Sequence, residues 1–340
     1  MTNLVVHDSE YVPDVNSPAL RVAALGGGHG LPVVLRAFKP YTTEMSAIVS
    51  VADDGGSSGL LRDEMGVLPP GDLRNNIAAL ADDEALMTQL FQYRFGTGSL
   101  EGHSLGNLLL TALVNITGSM DRALAAAGHV LAIRGQVLPA TLQNVRLIGE
   151  RRTEAGLTRI VGESNIPKGN GTIDRVYLEP DGVRAFPPAI QAILNAQLIV
   201  VGPGSLYTSL LPVLLIPEIA QAIRATSAPC VYVCNVATQR GETDDFTVAD
   251  HLAALDSHLG ADLIDIILCN DTFPPLGEHR VHTQYVTFDE TDRQRLAGRP
   301  IVACDLTDAL TPWRHDPRKL SAALRQVIDH APMPIGDHAH

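Results

Sequence analysis

Short apolar runs alternate with stretches of helical periodicity along most of the chain. The runs are rich in β-branched residues and too short for helices, so each predicts a buried strand. They lie at 21–25, 46–51, 198–201, 230–234 and 263–268, and a last strand is predicted at 285–288. Apolar residues with a period near 3.6 predict helices at 31–38, 72–80, 85–93, 108–116, 121–129, 248–259 and 317–328.

This alternation predicts an α/β fold, a Rossmann-like, doubly wound, mostly parallel sheet covered by helices on both faces. The stretch at about 134–186 differs, because short β-like pieces are broken there by glycine, proline and charge. We interpret it as a small antiparallel β insert in a single nucleotide-binding domain spanning 21–330. Polar residues predict a loose N-terminal tail at 1–20 and a C-terminal tail at 331–340.

Four of the predicted strands end in loops rich in glycine and small polar residues, at 26–30, 53–59, 202–205 and 235–243. In a parallel sheet these loops meet at one edge, where ligands bind. The predicted ligand-binding residues in and beside them are Gly26, Gly27, Gly28, His29, Gly30, Asp53, Asp54, Ser57, Ser58, Asn107, Gly202, Pro203, Gly204, Ser205, Asn235 and Thr238.

The first loop, 26–30, follows a strand and precedes a helix, which is typical of phosphate-binding turns. It is neither a complete dinucleotide fingerprint, since Leu31 occupies the third glycine position, nor a Walker loop. The pattern therefore favours an anionic ligand held by main-chain amides, with a plain tight turn as the alternative. The incomplete fingerprint argues against a dehydrogenase, and no catalytic residue is predicted.

The polar residues of the other loops have several interpretations. Asp53 and Asp54 could accept hydrogen bonds from a ribose, hold Mg²⁺ through water, or cap the turn. Ser57 and Ser58 could donate to phosphate or cap a helix. Asn107 could contact the ligand or satisfy neighbouring backbone. His103 and Ser104 are candidate helix caps, and His103 could instead be a general acid or base, although the sequence shows no partner for it. Four arginines lie in or near these segments: Arg74, Arg94, Arg134 and Arg240.

Composition narrows the class of partner. A formal net charge of −13 disfavours nucleic acid and anionic membranes as partners. No apolar run reaches the roughly 18 residues of a membrane span, and the start of the chain lacks a signal-peptide pattern. The four cysteines lack zinc-binding spacing and are interpreted as reduced thiols of a cytoplasmic protein; they are Cys230, Cys234, Cys269 and Cys304.

Six longer segments resemble one protein family. They are VADDGGSSG at 51–59, PPGDLRN at 69–75, GHSLGNLLL at 102–110, RGQVLPA at 134–140, GPGSLYTS at 202–209 and NVATQRGETDDF at 235–246. Together they are similar to the bacterial YvcK family of gluconeogenesis factors, within the superfamily of 2-phospho-L-lactate transferases (CofD-like proteins). The resemblance spans about 22–320, nearly the whole predicted domain.

The resemblance implies a cytoplasmic protein that binds UDP-sugars, especially UDP-N-acetylglucosamine, and acts in cell shape and peptidoglycan precursor control during gluconeogenic growth. It further implies a homodimer and phosphorylation by a Ser/Thr protein kinase. The family's arginine–histidine pair tied to UDP-sugar binding matches Arg314 and His315, whereas His29 replaces the usual threonine of the glycine loop.

Two functions of different classes remain open at this stage. One is a non-catalytic UDP-sugar-binding regulator, with no firmly implied cofactor. The other is a phospho-group transferase like the CofD branch, which would use Mg²⁺. NAD remains a further candidate ligand of the same loops.

Overall fold

The computed structural model describes residues 19–81, 86–276 and 283–330. The predicted tail at 331–340 and nearly all of the predicted tail at 1–20 lie outside these residues. The described chain is an α/β fold, as predicted, with one mostly buried hydrophobic core between a large sheet and its helices.

Seven strands form the main sheet, and every neighbouring pair within it is parallel. Their order is β10-β9-β8-β7-β1-β2-β3. The strands are β1 Val22–Gly26, β2 Met45–Val49, β3 Gln136–Pro139, β7 Leu198–Val201, β8 Cys230–Val233, β9 Ile266–Asn270 and β10 Ile301–Cys304. A separate antiparallel sheet has the order β5-β4-β6 and consists of β4 Arg146–Thr153, β5 Gly156–Val161 and β6 Thr172–Glu179.

Helices connect and cover the strands. They are α1 Leu31–Phe38, α2 Gly56–Met65, α3 Gly71–Leu80, α4 Leu86–Gln92, α5 Leu105–Thr117, α6 Met120–Val130, α7 Pro187–Leu194, α8 Leu211–Leu214, α9 Pro217–Ala225, α10 Val248–Leu259, α11 Glu290–Arg295 and α12 Pro317–His330. A single π-helical turn, Leu206–Leu210, leads directly into α8.

The centre of the main sheet explains where a ligand can bind. Strand β1 pairs with β2 on one side and with β7 on the other, so Val22 lies opposite both Met45 and Leu198. The chain first extends the sheet from β1 through β2 to β3, then returns to the opposite side of β1 at β7. The loops that leave β1 and β7 therefore diverge at a topological switch point, where open α/β sheets form a crevice.

The antiparallel sheet lies within the predicted insert at 134–186, but that stretch begins with a strand of the main sheet. Strand β3 pairs in parallel with β2, with Val49 opposite Pro139. Only from Arg146 onward does the chain leave the main sheet. The sequence did not separate these two parts because β3 is short and is followed closely by the polar turns of the insert.

The predicted strand at 285–288 is wrong. Tyr285 forms a single bridge with Ala237, and the main-chain N–H of Val286 donates to the carbonyl of Val236, so this segment lies beside a loop without joining the sheet. The last strand is β10 instead. It lies at the sheet edge, its residues are all half-buried, and it is only four residues long.

No single helix among residues 19–81, 86–276 and 283–330 is long and apolar enough to cross a membrane. Leu206–Leu214 and Pro217–Ala225 together have the necessary length and composition, but they are bent by 72° relative to each other.

Candidate functional site

A large cleft lies at the carboxyl ends of the parallel strands. Its volume is about 1110 Å³, compared with roughly 300–1,000 Å³ for typical small-molecule sites. The loops after β1, β2, β7 and β8 all contribute to its wall, as do α3, the start of α5, the insert and the loop before α12. The sequence predicted the four loops and Asn107, the family resemblance pointed to Arg314, and Arg74 was a candidate, whereas the wall formed by the insert was not predicted.

The loops after β1 and β7 touch at the switch point. A Cβ atom added to Gly30 would lie 2.0 Å from the carbonyl oxygen of Pro203, so only glycine allows this approach. Next to it, the Asn235 side chain accepts from the main-chain N–H of Gly204 at 3.0 Å and donates to its carbonyl at 2.8 Å. Asn235 thus holds the two loops from β7 and β8 together while lining the cleft.

The first glycine loop is fixed from below by Asp72, at the start of α3. The main-chain N–H of Gly28 donates to Asp72 Oδ2 at 2.7 Å. A Cβ atom on Gly27 would lie 2.7 Å from the same oxygen, so glycine is needed there for the carboxylate to approach. One amide predicted for the ligand is therefore used within the protein, and Asp72 forms part of the cleft floor.

The loop after β2 uses most of its polar groups locally. Asp53 Oδ1 accepts from the N–H of Gly55 at 2.8 Å, which is the turn-capping alternative, and Asp53 still lines the cleft. Asp54 does not line it and instead accepts from the N–H of Ser164 in the insert at 2.8 Å. Ser58 Oγ accepts from the N–H of Gly71 at 3.0 Å.

Residues 56–59, predicted as loop, form the first turn of α2, whose N-cap is Gly55 without a side-chain cap. Ser57 and Ser58 are therefore not helix caps. Ser57 Oγ lies 2.9 Å from His103 Nδ1 and accepts from Asn107 Nδ2 at 3.1 Å. Ser104 is the N-cap of α5 and accepts from the N–H of Asn107 at 3.2 Å.

Four arginines line the cleft and supply positive charge: Arg36, Arg74, Arg94 and Arg314. The pKa of His29 is lowered by burial first, then by the charges of Arg314 and Arg74. Arg74 and Arg314 therefore lie close enough to His29 for their positive charges to disfavour its protonation. Arg94 also lines the cleft, whereas the candidates Arg134 and Arg240 do not.

Two enclosed carboxyl groups, Asp72 and Glu163, line the same space, and a third, Glu242, accepts a hydrogen bond from the lining residue Thr208. Burial, followed by the charge of Asp53, raises the pKa of Asp72 to about 7. Burial and the neighbouring acids raise the pKa of Glu163, in the insert, to about 8. Burial likewise raises the pKa of Glu242 to about 7. At neutral pH these groups carry less negative charge than ordinary carboxylates, and a protonated carboxyl can donate a hydrogen bond.

Arg314 and His315 have different roles in the structure. Arg314 is exposed in the cleft wall, and its main chain is held by bonds from its N–H to Thr311 and from Asp308 to its carbonyl. His315 is buried, and its Nε2 donates to the carbonyl of Cys234 at 3.0 Å. Burial lowers the pKa of His315 to about 4, so the neutral ring anchors the Arg314 loop to the end of β8.

Thirteen of the predicted site residues line the cleft: Gly28, His29, Gly30, Asp53, Ser57, Ser58, Asn107, Pro203, Gly204, Ser205, Asn235, Thr238 and Arg314. The structure places the other four, Gly26, Gly27, Asp54 and Gly202, outside its lining. Of these four residues, Gly26, Gly27 and Gly202 are buried.

Sequence reasoning missed several lining residues, among them Glu163, Thr208 and Gln239. Glu163 lies in the insert, and no spacing rule relates it to the sheet loops. The GPGSLYTS segment could have indicated Thr208, because it continues past the glycines into a helix. Within the described ranges, no three His, Cys, Asp or Glu side chains are grouped so that they could hold a metal ion.

Three buried polar atoms on lining residues have no hydrogen-bond partner among the residues that the structure describes: Arg74 Nε, Asn107 Oδ1 and Gln239 Oε1. Buried polar groups are nearly always satisfied in folded proteins. Unfilled donors and acceptors along one cleft are thus typical of a site for a polar ligand.

Comparison with known proteins agrees with the fold. The family model described as 2-phospho-L-lactate transferase CofD matches residues 22–307. The gluconeogenesis factor of Bacillus subtilis is 50% identical over 314 residues, covering 91% of this chain and 98% of the relative. That of Listeria monocytogenes is 49% identical over 256 residues, covering 75% and 79%. A crystal structure of a Bacillus halodurans protein has a TM-score of 0.84 at 43% identity, covering 91% of this chain and 100% of the other. The chain therefore belongs to the CofD family, among its gluconeogenesis factors.

Proposed function

We propose that the cleft binds a nucleoside diphosphate sugar, of which UDP-N-acetylglucosamine is the leading candidate, and that the chain is a regulator rather than a multiple-turnover enzyme. Ligand occupancy would then control peptidoglycan precursor supply and cell shape in the cytoplasm during gluconeogenic growth. The observation that carries the proposal is the combination, in one cleft at the carboxyl ends of the strands, of glycine loops, arginines and lining residues with unfilled polar atoms.

The charges support an anionic ligand in an acidic protein. The net charge of −13 repels anions at long range, but screening limits that effect to about 8 Å at physiological ionic strength. Inside the cleft, Arg74 and Arg314 place positive charge in the lining. The raised pKa values of Asp72 and Glu163 reduce the opposing negative charge. Main-chain amides beside the glycines add donors without adding charge.

Arg314 offers the sharpest test of the proposal. The change Arg314→Ala removes the guanidinium but keeps the two main-chain bonds of its loop, so the melting temperature of the free protein should stay nearly unchanged. Loss of one arginine–phosphate pair should weaken binding by about 10- to 100-fold. Arg318→Ala is the matched control, because the Arg318 side chain is 96% exposed on α12 and outside the cleft lining.

Calorimetric titration with UDP-N-acetylglucosamine, GTP and NAD, each with and without Mg²⁺, measures which nucleotide the cleft prefers and whether binding requires the metal. We expect a dissociation constant on the order of micromolar for the UDP-sugar, without a metal requirement. Equal binding by the Arg314→Ala and Arg318→Ala variants would contradict the placement of the phosphates, and a large loss of stability in Arg314→Ala would mean that Arg314 is structural.

The description of the matching family model favours a second candidate, phospho-group transfer. Charge neutralisation in that reaction usually requires Mg²⁺ held by carboxylates. Asp53 and Asp72 line the cleft and could supply such carboxylates, while the acids of neighbouring loops, Asp54, Asp244 and Asp245, do not line it. Tighter binding of GTP that depends on Mg²⁺ would favour the transferase over the regulator.

A further inference from the structure

Ser57, His103 and Asn107 form a hydrogen-bonded chain at the edge of the cleft. The three residues come from two separate segments, the first turn of α2 and the start of α5, and 46 positions separate Ser57 from His103. Ser57 and Asn107 both line the cleft. No spacing rule links the serine to the histidine, so only the folded structure brings them together.

The direction of the hydrogen bonds is set by the donors. Asn107 Nδ2 donates to Ser57 Oγ at 3.1 Å, so the serine hydroxyl proton is directed to its other neighbour, His103 Nδ1, at 2.9 Å. Neutral imidazole with an unprotonated Nδ1 accepts that proton. This is the relation between a nucleophilic hydroxyl and its general base.

Ser58 provides an internal comparison, because it is adjacent in the chain and also lines the cleft. Its Oγ accepts from the N–H of Gly71 at 3.0 Å, and its hydroxyl bonds to Asp53. These bonds join α2 to α3 and involve no imidazole. Of these two neighbouring serines, only Ser57 is bonded to an imidazole.

A further observation indicates that the chain faces a ligand. Asn107 is only 2% exposed, yet its Oδ1 has no hydrogen-bond partner among the described residues. Its amide nitrogen therefore bonds to Ser57, while its oxygen has no protein partner in a residue that lines the cleft. In addition, the first turn of α2 places the positive end of a helix dipole beside Ser57 Oγ, which stabilises a developing alkoxide.

The geometry points to Ser57 as a nucleophile and His103 as its general base, with Asn107 positioning the hydroxyl, for attack on a phosphoric anhydride in the cleft. The choice of a nucleoside diphosphate sugar as the anhydride rests on the proposed function. Strands β1 and β2 are paired neighbours, so phosphates at the first glycine loop would lie along the wall that carries Ser57.

The reaction forms a bond between Ser57 Oγ and the sugar-bearing β-phosphorus. The bond from that phosphorus to the bridging oxygen breaks, and the nucleoside monophosphate leaves with the electron pair. The hydroxyl proton passes to His103 Nδ1. The product is a serine phosphodiester carrying the sugar, so the reaction yields one equivalent of nucleoside monophosphate per chain.

A fluorophosphonate probe tests the nucleophile independently of any nucleotide. The probe forms an Oγ–phosphorus bond with loss of fluoride, and mass spectrometry of the peptides locates the label. We expect labelling of Ser57 and not of Ser58, none in Ser57→Ala, and a rate at least about a hundredfold lower in His103→Gln. His129→Gln, on the exposed surface of α6, should label like the parent chain, and melting curves establish that each variant is folded.

Incubation with UDP-N-acetylglucosamine then tests the substrate class, with UMP release and the adduct mass as readouts. One equivalent of UMP with an adduct on Ser57 supports the proposal. Absence of fluorophosphonate label on Ser57 in the folded parent chain overturns the nucleophile. Labelling of Ser57 without any binding of the UDP-sugar overturns the proposed ligand alone, and binding without an adduct overturns the transfer step.

Discussion

The carboxyl group of Asp72 gives a prediction about stability that follows directly from its surroundings. It accepts a hydrogen bond from Gly28 beneath the glycine loop, and burial raises its pKa from 3.8 to about 7. Asp72→Asn keeps a side-chain oxygen for the Gly28 amide but removes the ionisable group. We therefore expect the variant to lose less stability than the parent chain as the pH rises.

The sign and the size of this pH dependence follow from the difference between the pKa values of Asp72 in the folded and unfolded states. Because the folded pKa lies above the unfolded value, the folded state binds the extra proton, and the stability from that proton is complete below the unfolded pKa and lost as pH rises toward about 7. Between about pH 5.5 and about pH 8.5, the free energy of unfolding falls over the roughly 1.5 pH units below the folded pKa, which corresponds to about 2 kcal/mol. The Asp72→Asn variant should avoid this loss.

Urea unfolding at both pH values measures the difference. Asp63→Asn is the matched control, since Asp63 is exposed on α2. Comparing each variant with the parent chain at two pH values cancels effects of the amide that do not depend on pH. Parallel pH profiles for Asp72→Asn and the parent chain would refute the reasoning, because Asp72 would then titrate alike in the folded and unfolded states.

Two further substitutions test how the cleft is held together. Gly30→Ala should cost about 1–3 kcal/mol by overpacking, because its Cβ would lie 2.0 Å from the carbonyl oxygen of Pro203; Gly96→Ala, with open space around its Cβ, should have little effect on the melting temperature. His315→Ala removes the buried bond to the Cys234 carbonyl and should cost about 2–4 kcal/mol in urea unfolding. It should also weaken UDP-sugar binding, so an unchanged affinity would show that the Arg314 loop keeps its position without this anchor.

Strong local periodicity explains which elements the sequence predicted well. Strand 198–201 and helix 248–259 have the same bounds in the structure as in the prediction. The strand is apolar throughout because both of its faces are buried, and Thr247 and Asp250 form a capping box that fixes the helix start. Here local sequence and tertiary packing favour the same structure.

Non-local contacts explain what the sequence did not predict. The segment 285–288 has a strand-like composition, but the edge position next to β9 is taken by Ile301–Cys304. In the site, the glycine loops were apparent because their chemistry is local. Glu163 and the pair of Ser57 with His103 were not, since each depends on how separate segments pack.

The pairing of β1 with β7 also bears on how the protein is synthesised. The central strand of the sheet acquires its second neighbour only when residue 198 has been made, 176 positions after Val22, and Arg314 follows later still. A ribosome-bound chain that ends before these residues lacks the cleft walls formed by the loops after β7 and β8 and by the Arg314 loop. Ligand in the growing cell should therefore stabilise only finished molecules, and premature termination products should gain no protection from proteolysis when ligand is added.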